Sequence, residues 1–262
     1  MFELKDIQDN NDQFLFFRIV EKCYADNLVK KGQIRFGLLE TYRTAERKNM
    51  KEIGDCHEAC LTTQVSEYIK IDGEYHEIHG SKAGYNMRIN ANQCVFCCYY
   101  AGLKDFESLG NNHYKFVLSS SDVEMLCKDK GGVEKCCLAV FDENVESKIC
   151  YALNERKLSF KSGKVAYDDY DYVPEHNIHS REYALECAFH KNKEYSYQRE
   201  YRIAVLNDKK EAINDFFIPI EETDFSLLEL KSGRGVKCDI QVDPCFIDNM
   251  VFVAFHIQLS LE

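Results

Sequence analysis

The sequence is poor in the residues that build linkers. It contains only 3 Pro and 13 Gly among 262 residues, while 45% of the residues are hydrophobic and 13% are aromatic. Such a composition can bury a core and leaves little material for flexible connections. We therefore expect a single domain over residues 1–262.

Long apolar stretches are also missing. No run approaches the roughly 18–20 residues of a membrane span, and the N-terminal segment 1–6 lacks the apolar core of a signal peptide. We therefore expect a cytoplasmic protein that makes no membrane contact. Its thirteen cysteines, an odd number, are then expected to stay reduced.

Motifs of metal and nucleotide sites are absent from the sequence. There is no His-Glu-x-x-His, Walker loop, Gly-x-Gly-x-x-Gly or Gly-x-Ser-x-Gly. Cys94-x-x-Cys97 has no second pair of cysteines, and Cys56-His57-x-x-Cys60 stands alone. We therefore expect no metal.

The segment Tyr195–Leu206 alternates like a strand and carries polar groups on one face. Side chains change face at every strand residue, so the pattern predicts Gln198, Glu200 and Arg202 on the same side. A carboxylate held on rigid backbone beside an amide, roughly 6–7 Å away along the strand, suits chemistry that develops positive charge on a sugar carbon. Alternatively, Glu200 and Arg202 pair with each other on a solvated face.

Charge is unevenly distributed along the chain. The formal net charge of −11 opposes nonspecific binding to nucleic acid. However, residues 30–51 contain seven bases and only two acids. This basic segment is either a solvated helix face, with Arg43 and Arg47 one turn apart, or the mouth of a site for a phosphate-bearing ligand. The acidic, tyrosine-rich segment 167–175 could face a protein partner.

The pattern of secondary structure favours the α+β class. A strand is predicted at Phe14–Val20, then a helix at Glu21–Lys31 closed by Gly32, then a strand at Gln33–Leu38. Further strands are predicted at Glu67–Ile71, Tyr75–Ile78, Gln93–Tyr100, Tyr114–Leu118, Cys136–Phe141, Tyr195–Leu206, Phe216–Ile220 and Met250–Phe255, with helices at Arg43–Lys51, Ser121–Lys128 and Ser180–Lys191. The turn Asp72-Gly73 predicts a hairpin.

The order of these parts resembles the ADP-ribosyltransferase superfamily. The resemblance is carried by Phe17-Arg18 on the first strand, the helix after it, the segment Gly-Gln-Ile-Arg-Phe-Gly, Tyr42 and the late Gln198-x-Glu200. The chain is also similar to a mostly uncharacterised bacterial family with a late aromatic-x-x-Glu/Gln-x-Glu-Tyr-Arg strand. The superfamily resemblance implies an ADP-ribosyltransferase-like mixed or antiparallel split sheet with peripheral helices.

The resemblance also implies NAD as a substrate. Arg18, Phe36 and Tyr42 would then bind NAD, with Arg18 at the phosphates or adenylate ribose and Tyr42 stacked on nicotinamide. Glu200 would stabilise the oxocarbenium as nicotinamide leaves, and Gln198 would orient the acceptor. In the superfamily a middle strand lines the site with small polar residues. In this sequence either Ser119-Ser120-Ser121 or Cys97-Cys98 would take that place.

An acceptor and a biological role follow from the same resemblance. We expect a nucleic-acid acceptor, RNA in preference to DNA or protein, bound by Arg43, Arg47 and Lys48, and a toxin or phage-defence effector that an antitoxin or chaperone protein could accompany.

Two other classes remain open. One is a noncatalytic binding module on the same fold, acting through protein partners at the acidic segment 167–175. The other is a Cys/His hydrolase or nuclease using His57, Glu58 or His190, although the spacing of these residues supports no triad.

Overall fold

The computed structural model describes residues 15–39, 41–42, 61–64, 67–71, 74–78, 82–85, 93–142, 144–168, 181–206, 216–221, 224–247 and 250–262. The chain divides into two compact units. Unit 1 comprises residues 1–35, 97–156 and 217–262, and unit 2 comprises residues 36–96 and 157–216. The single domain expected from composition stays a prediction.

Four α-helices and eighteen strands lie in the described residues. The helices are α1 (Lys22–Lys31), α2 (Ser120–Cys127), α3 (Val145–Glu155) and α4 (Arg181–Cys187). The first nine strands are β1 (Leu15–Glu21), β2 (Gln33–Leu38), β3 (Leu61–Gln64), β4 (Glu67–Ile71), β5 (Glu74–Ile78), β6 (Lys82–Tyr85), β7 (Gln93–Ala101), β8 (Glu107–Gly110) and β9 (His113–Leu118). The others are β10 (Cys136–Phe141), β11 (Ser159–Lys164), β12 (Ala166–Asp168), β13 (His190–Asn192), β14 (Glu200–Leu206), β15 (Phe216–Pro219), β16 (Phe225–Glu229), β17 (Val236–Ile247) and β18 (Met250–Leu261).

Unit 1 contains two antiparallel sheets that share a core. In the first, β1 lies between β7 and β10, and β10 also pairs with β16; the second has the order β18-β17-β9-β8. Phe17 on β1 contacts Phe116 on β9, with ring centroids 5.6 Å apart, and stacks on Tyr99 at 5.4 Å. Alternating apolar residues on the facing strands thus form one buried layer between the sheets.

Unit 2 contains shorter pairings. The antiparallel strands β11 and β14 run from Ser159 opposite Leu206 to Lys164 opposite Tyr201, and β12 pairs in parallel with β13. Strand β3 pairs antiparallel with β6, and the intervening strands β4 and β5 form an antiparallel hairpin. Helix α4 packs against β11 and β14. These elements position the site described below.

The predicted α+β class is confirmed. Most strands pair antiparallel, without a regular β-α repeat. Strand β2 coincides with its predicted range, and α1 ends at Gly32 in the left-handed conformation, φ 53°, as a closing glycine should. The specific ADP-ribosyltransferase fold stays a prediction. Among the described residues, no helix is both long and apolar enough to cross a membrane.

The predicted strand Tyr195–Leu206 is wrong in its first half. Residues Lys193–Gln198 form a 3₁₀ helix, and β14 begins only at Glu200. Likewise, the predicted helix Ser180–Lys191 ends at Cys187, because the chain turns there and enters β13. Helix α3 was not predicted. The predicted helix Arg43–Lys51 lies outside the described residues.

Candidate functional site

A left-handed residue separates Gln198 from Glu200. Arg199 has φ 43° and ψ 55° and ends the 3₁₀ helix, with its N–H donating to the carbonyl oxygen of Ser196 at 3.2 Å. Arg at positive φ is uncommon, because its Cβ crowds the carbonyl oxygen. Gln198 ends the 3₁₀ helix and β14 begins only at Glu200, so the two residues do not share a strand face, which corrects the sequence prediction.

The two side chains nevertheless meet at a common cation. The Lys191 ammonium donates to Gln198 Oε1 at 2.6 Å and to Glu200 Oε1 at 2.9 Å. It also lies 5.0 Å from the centroid of the Tyr195 ring, within the range of a cation–π contact. Lys191 therefore brings together the two residues that the sequence pattern singled out.

Arg202 binds the other oxygen of the same carboxylate. Its Nε and Nη2 atoms donate to Glu200 Oε2 at 2.7 and 2.5 Å, and its Nη1 atom donates to the carbonyl oxygen of Ala188 at 2.6 Å. The guanidinium is only 2% exposed, so the pair lies in the interior of unit 2 and not on a solvated face. The predicted pairing of Glu200 with Arg202 is confirmed, but its predicted exposure is wrong.

These two cations keep Glu200 ionised. Burial alone would raise the pKa of the Glu200 carboxyl, but the charges and hydrogen bonds of Arg202 and Lys191 together lower that pKa to about 2. The cluster of Lys191, Gln198, Glu200 and Arg202, called here the Glu200 cluster, thus holds one carboxylate between two cations.

Glu200 is the accessible member of this cluster. Its side chain is 13% exposed, whereas the side chains of Lys191 and Arg202 are each 2% exposed and Gln198 is 2% exposed as a residue. Gln198 therefore has too little surface to orient an acceptor in this conformation, and its observed partner is Lys191. The arrangement thus surrounds one partly buried carboxylate with groups that are almost fully buried.

The strands β12 and β13 supply the rest of the support. Tyr167 lies opposite Lys191 in the parallel register, and its hydroxyl accepts a hydrogen bond from the Glu200 backbone N–H at 2.8 Å. On the same two strands, the residues next to Lys191 and Tyr167 are also in contact: His190 Nδ1 lies 2.8 Å from Asp168 Oδ2. The sequence pattern did not indicate Tyr167 or Lys191 as site residues, since a three-residue strand pair leaves little periodicity.

The predicted NAD-binding residues have different surroundings. Phe36 is 0% exposed and stacks on Phe216 at 4.7 Å, so its ring is a core residue without surface for a ligand, which corrects that prediction. Tyr42 is half-buried. Its hydroxyl oxygen lies beside Gly37, 3.2 Å from the position that a Cβ atom on residue 37 would occupy. Arg18 lies on β1 in unit 1, opposite Ala139. For Arg18 and Tyr42, NAD binding stays a prediction.

The predicted acceptor residues Arg43, Arg47 and Lys48 lie outside the described residues, as do His57 and Glu58.

The serine triplet has a structural role. Ser119 is the N-cap of α2: its Oγ accepts from the Asp122 N–H at 3.2 Å, and the Ser119 N–H donates to Asp122 Oδ2 at 3.1 Å. This capping box accounts for Ser119 without a ligand. Cys97 and Cys98 lie on β7.

Comparisons with protein-family models, with curated proteins and with solved structures gave no match to this chain. The chemistry of the Glu200 cluster is therefore the basis for a functional proposal.

Proposed function

We propose that this protein is an NAD-dependent ADP-ribosyltransferase in which Glu200 is the catalytic carboxylate. The observation that carries the proposal is that Glu200 is the least buried member of a cluster whose other side chains are almost fully buried. A group whose supports are fixed by packing is preorganised, and preorganised charge is the largest contribution that most enzymes make to a reaction.

The proposed reaction breaks the bond between the ribose anomeric carbon and nicotinamide and forms a bond from that carbon to the acceptor. Positive charge develops on the sugar as nicotinamide leaves, and an ionised carboxylate stabilises it. With a pKa of about 2, Glu200 is ionised throughout the neutral pH range. It therefore needs no deprotonation step before it can act.

Two cations beside one carboxylate leave the Glu200 cluster with a formal charge of +1. Lys191 and Arg202 oppose a developing sugar cation, so stabilisation requires that a Glu200 carboxylate oxygen lie closer to the sugar carbon than either cation does. The net positive charge itself favours a substrate that carries phosphate groups, as NAD does. Tyr42, in the same unit as Glu200, would make a further NAD contact.

For the acceptor we propose RNA, modified by a toxin or phage-defence effector in the cytoplasm and held in check by an antitoxin or chaperone protein. The support is the basic segment 30–51, which carries seven bases and two acids within a chain of net charge −11. A local excess of positive charge concentrates a polyanion near the segment, even on an acidic protein.

A second candidate function, a noncatalytic binding module, is favoured by a different observation. Both oxygens of Glu200 already accept hydrogen bonds from Lys191 or Arg202, so the cluster is satisfied as a structural element. The two functions differ in whether the purified protein releases nicotinamide from NAD.

The test compares the wild-type protein with Glu200→Gln. The substitution keeps the size of the side chain and removes its charge, so nicotinamide release should fall on the order of 10²–10³-fold while NAD binding persists. Glu194→Gln is the matched control, because Glu194 is an exposed acid in the adjacent 3₁₀ helix. A Glu200→Gln rate within a few-fold of wild type would refute the catalytic assignment.

A further inference from the structure

Lys191 is a buried cation with three identified contacts. Its ammonium donates to Gln198 Oε1 and Glu200 Oε1 and lies over the Tyr195 ring. Lysine is rarely buried to 2% exposure unless its charge is paired, because desolvation of an ammonium is costly. The contacts of Lys191 explain how this burial is compensated.

Strands β12 and β13 direct the side chains of Tyr167 and Lys191 toward Glu200. The two are register partners in the parallel pair of β12 and β13, so their side chains lie on the same face of that pair. The Tyr167 hydroxyl accepts a hydrogen bond from the Glu200 backbone N–H and so fixes the main chain there, and Lys191 fixes the Glu200 side chain. Both ends of Glu200 are thus held from one strand pair.

Lys191 and Arg202 bind different oxygens of the Glu200 carboxylate. Within the described part of the chain, Glu200 Oε2 accepts two hydrogen bonds from Arg202, and Oε1 accepts one from Lys191. A carboxylate oxygen accepts about two hydrogen bonds, so the remaining capacity lies on Oε1. That oxygen is the one whose orientation Lys191 determines.

We propose that Lys191 is a positioning residue that holds Glu200 Oε1 so that its remaining lone pair is available to a hydroxyl group of the substrate. This inference rests on the proposed transferase function. It assigns to Lys191 a role that acts through Glu200 and requires no contact between Lys191 and the substrate.

The experiment compares wild type with Lys191→Met, which fills a similar volume without charge, and with Lys191→Gln, which is neutral but can still donate to Glu200. Lys161→Met is the matched control, because Lys161 also lies over an aromatic ring, that of Phe189 at 5.3 Å. The measurements are steady-state nicotinamide release across pH and titration of the Glu200 carboxyl by ¹³C NMR. The Glu200 signal is identified by its loss in Glu200→Gln.

Lys191→Met should lower kcat by about 100-fold, the usual consequence of a displaced catalytic group, and change the KM for NAD by less than about threefold. Lys191→Gln should fall between Lys191→Met and wild type. Among the described residues, the ionisable side chains that still contact Glu200 in both variants are Arg202 and Tyr167, so its carboxyl should titrate at a higher pH than in wild type. Lys161→Met should match wild type in both measurements.

A wild-type kcat in a folded Lys191→Met or Lys191→Gln protein, with an unchanged Glu200 titration, overturns the positioning role and leaves the assignment of Glu200 intact. If wild type releases no nicotinamide, the proposed function fails and the positioning role fails with it, while the NMR titration still shows whether Lys191 lowers the pKa of Glu200. If Lys191→Met does not fold, Lys191→Gln carries the same comparison.

Discussion

The ion pairs of Glu200 predict a specific loss of stability in acid. The pKa of its carboxyl is about 2 in the folded protein, against an ordinary value of 4.5. Because the folded pKa is the lower one, the stabilising contribution is fully present above the unfolded pKa and is lost as the pH falls through the folded pKa. The loss should therefore extend from about pH 5 to about pH 2.

The size of this contribution follows from the two pKa values. One pKa unit corresponds to about 1.4 kcal/mol, so a pKa of about 2 in place of 4.5 contributes about 3 kcal/mol to the free energy of unfolding at neutral pH. About 2 kcal/mol of it should disappear between about pH 6 and about pH 3.

The assay is urea unfolding of wild type and Glu200→Gln at a series of pH values. Other groups titrate in both proteins, so the difference in unfolding free energy between them isolates the ionisation of Glu200. That difference should shrink by about 2 kcal/mol from about pH 6 to about pH 3. A Glu200→Gln difference that is independent of pH would refute the conclusion that Lys191 and Arg202 lower the Glu200 pKa.

Two further predictions concern binding. Arg18→Ala should weaken NAD binding by about 1.5–3 kcal/mol, the usual size of a charge-assisted hydrogen bond, and calorimetry that shows unchanged affinity would exclude Arg18 from the site. Changing Arg43, Arg47 and Lys48 together to Glu should reduce labelling of RNA by labelled NAD while leaving NAD binding intact, and wild-type labelling should weaken steeply with added salt. Labelling of RNA that does not depend on salt, or preferential labelling of protein in a lysate, would contradict an RNA acceptor.

Much of the fold could be predicted because its signals are local. Strands β2, β4 and β10 coincide with their predicted ranges, and α2 differs from its prediction by one residue at each end. Each combines an apolar pattern with a cap or turn residue beside it, and such patterns need no knowledge of the rest of the chain. Local patterns also account for the hairpin of β4 and β5, which was predicted from its Asp-Gly turn.

The site could be predicted only in part, because its geometry depends on long-range pairing. Glu200 and Arg202 lie two residues apart on one strand, and alternation alone places them together. Lys191 and Tyr167 reach Glu200 through the parallel pairing of β12 and β13, which joins segments more than twenty residues apart. No period within a three-residue strand reveals such a pairing.

The error in the segment before Glu200 has a physical explanation. The alternating tyrosines of residues 195–201 satisfy a strand pattern, yet residues Lys193–Gln198 form a 3₁₀ helix that begins at the N-cap Asn192, whose Oδ1 accepts the Glu194 N–H at 2.9 Å. That cap competes locally with extension of the strand.

The left-handed conformation of Arg199 has a cost that the Glu200 cluster offsets. A non-glycine residue in this region is less stable by about 1–2 kcal/mol, and such conformations persist where surrounding contacts determine the backbone. Here those contacts are on both sides of Arg199: Lys191 binds the side chain of Gln198 before it and that of Glu200 after it. Arg199 thus stands between the two residues that one ammonium binds, and its left-handed conformation and the buried cation both belong to the local structure at the start of β14.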